Sequence, residues 1–119
     1  MKIYHTEEMI QIENPTPGVR YRLKILTEEQ NAKALAGHFS ILFPGGNVPN
    51  HYHEKRESLI FLIAGELMEI IEGKEIPLKA GDVIYIAARE KHKMENRSDR
   101  DARYIEFFTP IESDVIEVK

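Results

Sequence analysis

Cysteine and tryptophan are both absent from this 119-residue sequence. The missing thiol excludes disulfides, thiolate metal sites, cysteine nucleophiles and iron–sulfur clusters. It suits a reducing compartment. No apolar run approaches the roughly 20 residues that a membrane-spanning helix needs. The start, Met1-Lys2-Ile3-Tyr4-His5, lacks the apolar core of a secretion signal, so a cytoplasmic location is expected. A basic excess is missing as well. Sixteen Lys plus Arg stand against 20 Asp plus Glu, a net charge of −4. Neither a nucleic-acid partner nor a membrane partner is therefore expected. The densest basic stretch, Arg97, Arg100 and Arg103, is broken by Asp99 and Asp101 and reads as a solvated turn. Gln is scarce while Glu, Lys and Ile are abundant, a balance that leans towards thermophiles.

What is present suits a folded domain. Hydrophobic residues make up 42% and charged residues 30%, which argues against disorder. The length fits one domain over residues 1–119, with no repeat, low-complexity segment or linker to divide it. The apolar pattern is mostly of period two. Val19, Tyr21, Leu23 and Ile25 alternate with Arg20, Arg22 and Lys24, which puts the two sets on opposite faces of a strand. Further strands are predicted at 35–43, 58–64, 66–72, 75–79, 83–88 and 102–109. Turns are signalled at Phe43-Pro44-Gly45-Gly46, Gly65, Glu72-Gly73-Lys74 and Ala80-Gly81-Asp82. Only 27–36 has helical composition. The first dozen residues and those from Pro110 onward read as peripheral strands or arms. The fold class is all-β, a sandwich or small barrel.

Two strands do not alternate. Leu59–Ile63 is apolar throughout, and Val83–Ala88 nearly so. Such strands need cover on both faces. One face meets the interior, and the other is expected to meet a second copy in a homodimer. The chain's own N-terminal strands are the alternative cover.

The chain has five histidines. His51 and His53 stand at i and i+2, so on an extended strand their imidazoles point the same way and can reach one ion. Glu57 follows at a distance from which it can add a carboxylate. His92 lies after further strands and a turn. His, His, Glu and His make a suitable shell for a divalent first-row metal, with Mn, Fe, Ni, Cu and Zn all admissible. Four protein ligands leave coordination positions open for substrate, water or dioxygen. His5 lies in a terminus, and His38 shares a strand face with Ser40 and faces either a pocket or solvent. Phe61, Tyr85, Met94 and Phe107 are candidates for lining a cavity. Tyr52 should point away from its flanking histidines.

The string around these residues resembles the cupin family in both of its motifs. The first motif is Gly, five residues, His-x-His, three or four residues, Glu, six residues, Gly. Gly45, His51, His53 and Glu57 match it, with Gly65 one residue late. The second is Gly, five residues, Pro-x-Gly, two residues, His, three residues, Asn. Gly81, His92 and Asn96 match it, while Ala87 and Arg89 replace its Pro and second Gly. The resemblance covers about residues 36–109. It implies a double-stranded β-helix, or jelly-roll barrel, with a metal held inside by His51, His53, Glu57 and His92. A one-residue shift turns a strand residue to the other face. Counted back from Gly65, the Glu position falls on Ser58. Glu57 is thus either the fourth ligand or outward-pointing, which would leave a three-histidine site. If its turn needs a positive φ, Arg89 is strained there. Arg89 either reaches the barrel mouth, where it would meet an anionic substrate, or is solvated. Asn96 is expected to close a turn.

The resemblance implies no single reaction. A metal-dependent small-molecule enzyme of oxygenase type is the leading expectation. A redox-neutral isomerase or epimerase and a non-catalytic small-ligand binding module are the alternatives.

Overall fold

The computed structural model describes residue 3 and residues 11–13, 19–26, 32–111 and 115–118. Eleven strands are found among these residues: β1 (Gln11–Glu13), β2 (Arg20–Leu26), β3 (Ala36–Leu42), β4 (Asn47–His53), β5 (Glu57–Ala64), β6 (Glu66–Ile71), β7 (Lys74–Lys79), β8 (Val83–Ile86), β9 (His92–Glu95), β10 (Ala102–Thr109) and β11 (Val115–Glu117). They form two antiparallel sheets, one ordered β1-β2-β3-β10-β5-β8 and the other β11-β4-β9-β6-β7. This is the expected jelly roll.

No described residue is helical, so none forms a helix long and apolar enough to cross a membrane. Residues 32–35 are irregular and Ala36 already opens β3. The rest of the segment with helical composition lies outside the described residues, as does His5.

Alternation decides the interior. β5 reads exposed, buried, exposed, buried from Glu57 to Ile63, which turns Ser58, Ile60 and Leu62 inward. β10 turns Ala102 and Tyr104 inward, and β9 turns His92 and Met94 inward. Leu42, Ile60, Leu62, Leu67, Ile86, Met94 and Tyr104 pack together between the sheets. Each such side chain contributes about 1.5–3 kcal/mol when fully buried.

The apolar strands also have an outer face. Leu59, Phe61 and Ile63 on β5, Val83 and Tyr85 on β8, and Phe107 on β10 are all exposed. Phe61, Tyr85 and Phe107 therefore do not line the cavity, and of those four candidates Met94 alone does. The described N-terminal strands do not cover this face. β1 and β2 extend the opposite edge of the same sheet.

Candidate metal centre

Sequence-distant histidines meet here through sheet register. β4 holds His51 and His53 on one face, and β9 places His92 directly opposite His51. The ring centroids lie 4.1 Å apart for His51–His92, 5.0 Å for His51–His53 and 5.6 Å for His53–His92. One ring nitrogen from each can be chosen so that all three lie within 4.8 Å of one another. Tyr52, between them, is half-buried and outside the cavity lining, as parity requires.

The backbone sets the imidazoles. The Nδ1 of His51 lies 2.7 Å from the Pro49 carbonyl, and the Nδ1 of His92 lies 2.9 Å from the Glu90 carbonyl. A carbonyl only accepts, so Nδ1 carries the proton in both. Nε2 is then the nitrogen left to coordinate. Burial, then the neighbouring His92, lowers the pKa of His51 to about 4, against the opposing Pro49 carbonyl. It is thus neutral at pH 7, the form a metal requires. Three imidazoles in this arrangement fit a borderline divalent ion such as Zn, Ni, Cu or Fe.

The turn before His92 is firmly tied. Arg89 N donates to the His53 carbonyl at 2.7 Å, and Ala87 N donates to Glu90 Oε1 at 2.8 Å. Arg89 has φ of 70°. The left-handed conformation expected of a glycine there is thus adopted by an arginine, at a cost of about 1–2 kcal/mol. Its side chain is exposed and pairs with Glu54 at 3.2 Å, so it is the solvated arginine rather than a cavity residue. Asn96 closes the following turn, its Nδ2 donating to the carbonyls of Leu42 and Arg100.

Glu57 does not join the histidines. It is exposed, on the outward face of β5. The inward position is Ser58, four per cent exposed. The strand's strict alternation makes the choice, because neighbouring residues cannot share a face. The four-residue set predicted from sequence is corrected to three histidines on this geometry.

Other polar residues occupy the interior instead. A cavity of about 520 Å³ is lined by the three histidines together with Arg20, His38, Arg56, Glu69, Tyr104 and Glu106. His38, left open by sequence, faces this cavity with Nε2 3.4 Å from Glu106 Oε1. Ser58 donates to the same carboxylate, and the Arg56 guanidinium lies 3.7 Å from the Phe108 ring centroid. Burial alone would raise the pKa of Glu106, but His38, Ser58 and Arg56 together pull it down to about 2. Glu69 moves the other way. Burial, then the charge of Glu106, raises it to about 9. One cavity thus holds an ionised and a neutral carboxyl. Strand alternation was the signal available for Glu69 and Glu106. Leu67-x-Glu69-x-Ile71 and Tyr104-x-Glu106-x-Phe108 each place a Glu on an apolar face.

A family model for the cupin domain matches residues 38–108. The chain belongs to the cupin family. Among its curated relatives, the tetracenomycin polyketide synthase protein TcmJ of Streptomyces glaucescens is 31% identical over 75 residues, 63% of this chain and 50% of that protein. The oxalate-binding protein of Thermotoga maritima is 34% identical over 62 residues, 52% of this chain and 51% of that protein. This cupin spans about half the length of the curated relatives it matches. The solved structure of the polyketide cyclase RemF from Streptomyces resistomycificus superposes with a TM-score of 0.84 at 22% identity, covering 100% of this chain and 86% of that one. At that identity the likeness speaks for the fold.

Proposed function

We propose that this cupin is a metal-dependent enzyme acting on a small oxygen-bearing molecule, with a divalent transition metal held by His51, His53 and His92. The observation that carries the reading is the convergence of three imidazole nitrogens within 4.8 Å on the wall of the barrel cavity. When bound, such an ion polarises a ligand oxygen and acidifies the neighbouring C–H or a bound water. The chain supplies the rest. Glu106, ionised beside His38, sets a fixed negative charge on the same space. Arg20 and Arg56 add positive charge that favours an anionic ligand. Met94, Ile60 and Val48 add apolar surface to the lining. Carboxyls pushed to opposite protonation states are what proton-transfer chemistry uses. Redox-neutral isomerisation or cyclisation is therefore our first reading of the reaction. Relatives named for polyketide synthesis and for oxalate binding agree with a ligand rich in oxygen.

The oxygenase reading is kept as the second, because three protein ligands leave positions at which dioxygen can bind. We also propose that the exposed apolar face of β5, β8 and β10 pairs with its copy in a homodimer.

The test is elemental analysis of the purified protein beside a His51→Ala, His92→Ala variant. Near-stoichiometric metal in the parent and none in the variant is expected. The loss should exceed the ~10–100-fold that removal of an outer partner costs. A parent that takes up none of Mn, Fe, Ni, Cu and Zn would overturn the reading. With metal in place, turnover without oxygen uptake supports the redox-neutral reaction, and oxygen consumption supports the second. A ligand bound tightly and never turned over would make the barrel a binding module.

A further inference from the structure

Glu69 has no structural task. It lies on the inward face of β6 and is fully buried. Neither carboxyl oxygen has a hydrogen-bond partner among the described residues. A buried polar group left unpaired costs stability, and folded proteins rarely keep one without a reason.

Its place in the sheet suggests the reason. On the β6–β9 ladder, Ile71 stands opposite His92 and Glu69 opposite Met94. Glu69 and His92 are thus diagonal neighbours on one inner face, a relation that spaces residues about 7–8 Å apart. Both line the same cavity. Glu69 therefore sits one rung away from His92, with Met94 and Ile76 as its cross-strand partners. In this apolar setting the carboxyl is neutral at pH 7, its pKa raised to about 9 by burial and then by Glu106. A neutral carboxyl both donates and accepts. Unlike Glu106, it does not repel an anion.

We propose that Glu69 is a second recognition point of the cavity, donating a hydrogen bond to the far oxygen of a ligand whose near oxygen sits at the three-histidine centre. The cavity then selects short molecules with oxygen functions at both ends, such as dicarboxylates, hydroxy acids and dicarbonyls. This deepens the metal reading above and rests on it.

Malonate and acetate serve as probes, titrated calorimetrically into the metal-loaded protein and into Glu69→Leu and Glu69→Gln variants of measured metal content. A donor to a charged oxygen contributes roughly tenfold or more in affinity. Glu69→Leu should weaken malonate by that factor and leave acetate unchanged. Glu69→Gln, which keeps an N–H donor, should retain most of the malonate affinity. In the metal-free protein, Glu69→Leu should raise Tm by a few degrees, because an unpaired buried carboxyl is removed. The proposal is overturned if wild type does not bind malonate, if Leu affects both probes equally or neither, or if it lowers Tm. Loss of metal from the Leu variant would overturn it too, by making Glu69 a ligand. Absence of metal from the wild type would instead overturn the metal reading itself, and this proposal with it.

Discussion

At the scale of single residues, the contrast between Glu57 and Ser58 matters most. Glu57 satisfies one of the two spacings that the cupin motif allows, yet it lies outside the barrel. Glu57→Gln should therefore change metal affinity by less than the ~10-fold at which loss of even an outer ligand partner begins to be felt. Calorimetric titration with Zn or Ni checks this, and a larger loss would put Glu57 back at the centre. The three histidines were legible in the sequence because HxH on a strand fixes a shared face and His92 falls in motif register. The place of Glu57 was ambiguous because its two neighbours in the motif disagree. Counting from His53 allows it, whereas counting back from Gly65 selects Ser58. The φ of 85° at Gly65, where an added Cβ would come within 2.5 Å of the Asp101 carbonyl, makes that glycine the better anchor. Glu69 and Glu106 belong to no motif, and the only local sign of them is the apolar face that each shares with its i±2 neighbours.

At the scale of elements, the strands that build the site were the hardest to read. β4 contains Pro49, departs from regular register between Val48 and His51, and mixes polar with apolar residues. β9 has four residues. Long strands such as β5 and β10 came through, because eight residues rich in apolar, β-branched and aromatic side chains and bounded by turn signals read as strand even where the sequence does not alternate. What holds the short elements is a turn residue. Asn96 is one per cent exposed. Its Nδ2 donates to Leu42 O at 2.9 Å and Arg100 O at 2.7 Å, and its Oδ1 accepts from Ser98 N at 3.0 Å and Ser98 Oγ at 2.7 Å. Its backbone exchanges bonds with Gly45 and Gly46, just ahead of β4. Asn96→Ala strips these side-chain bonds and leaves the buried Leu42 carbonyl short of a donor. The expected loss is about 2–4 kcal/mol, read as a lower denaturant midpoint at unchanged m. A loss below about 0.5 kcal/mol, the size of an ordinary surface change, would show that β4 and β9 are held by their ladder alone.

At the scale of the whole molecule, the unexplained feature is on the outside. Leu59, Phe61, Ile63, Val83, Tyr85 and Phe107 are between 38% and 56% exposed and share one face of the six-stranded sheet. Register makes them neighbours. Leu59 lies between Tyr85 and Phe107, and Phe61 between Val83 and Ile105. Scattered apolar residues on a surface need no account, but a contiguous patch of this kind marks an interaction site. The runs Leu59–Ile63 and Val83–Ala88 were the visible sign of it, since a strand with only one buried face has no need of apolar residues on the other. A second copy is the simplest cover, because a two-fold axis through the patch buries the same residues twice in one self-complementary contact. Light scattering at micromolar concentration should give twice the 13.8 kDa chain mass. A Phe61→Lys, Tyr85→Lys variant should scatter as a monomer while keeping its metal, because both side chains point away from the cavity. Dimer stability depends on concentration, so wild-type Tm should rise with dilution reversed and the variant's should not. A wild-type monomer at every concentration tested would leave the face to a different partner and remove the homodimer from the account of this barrel.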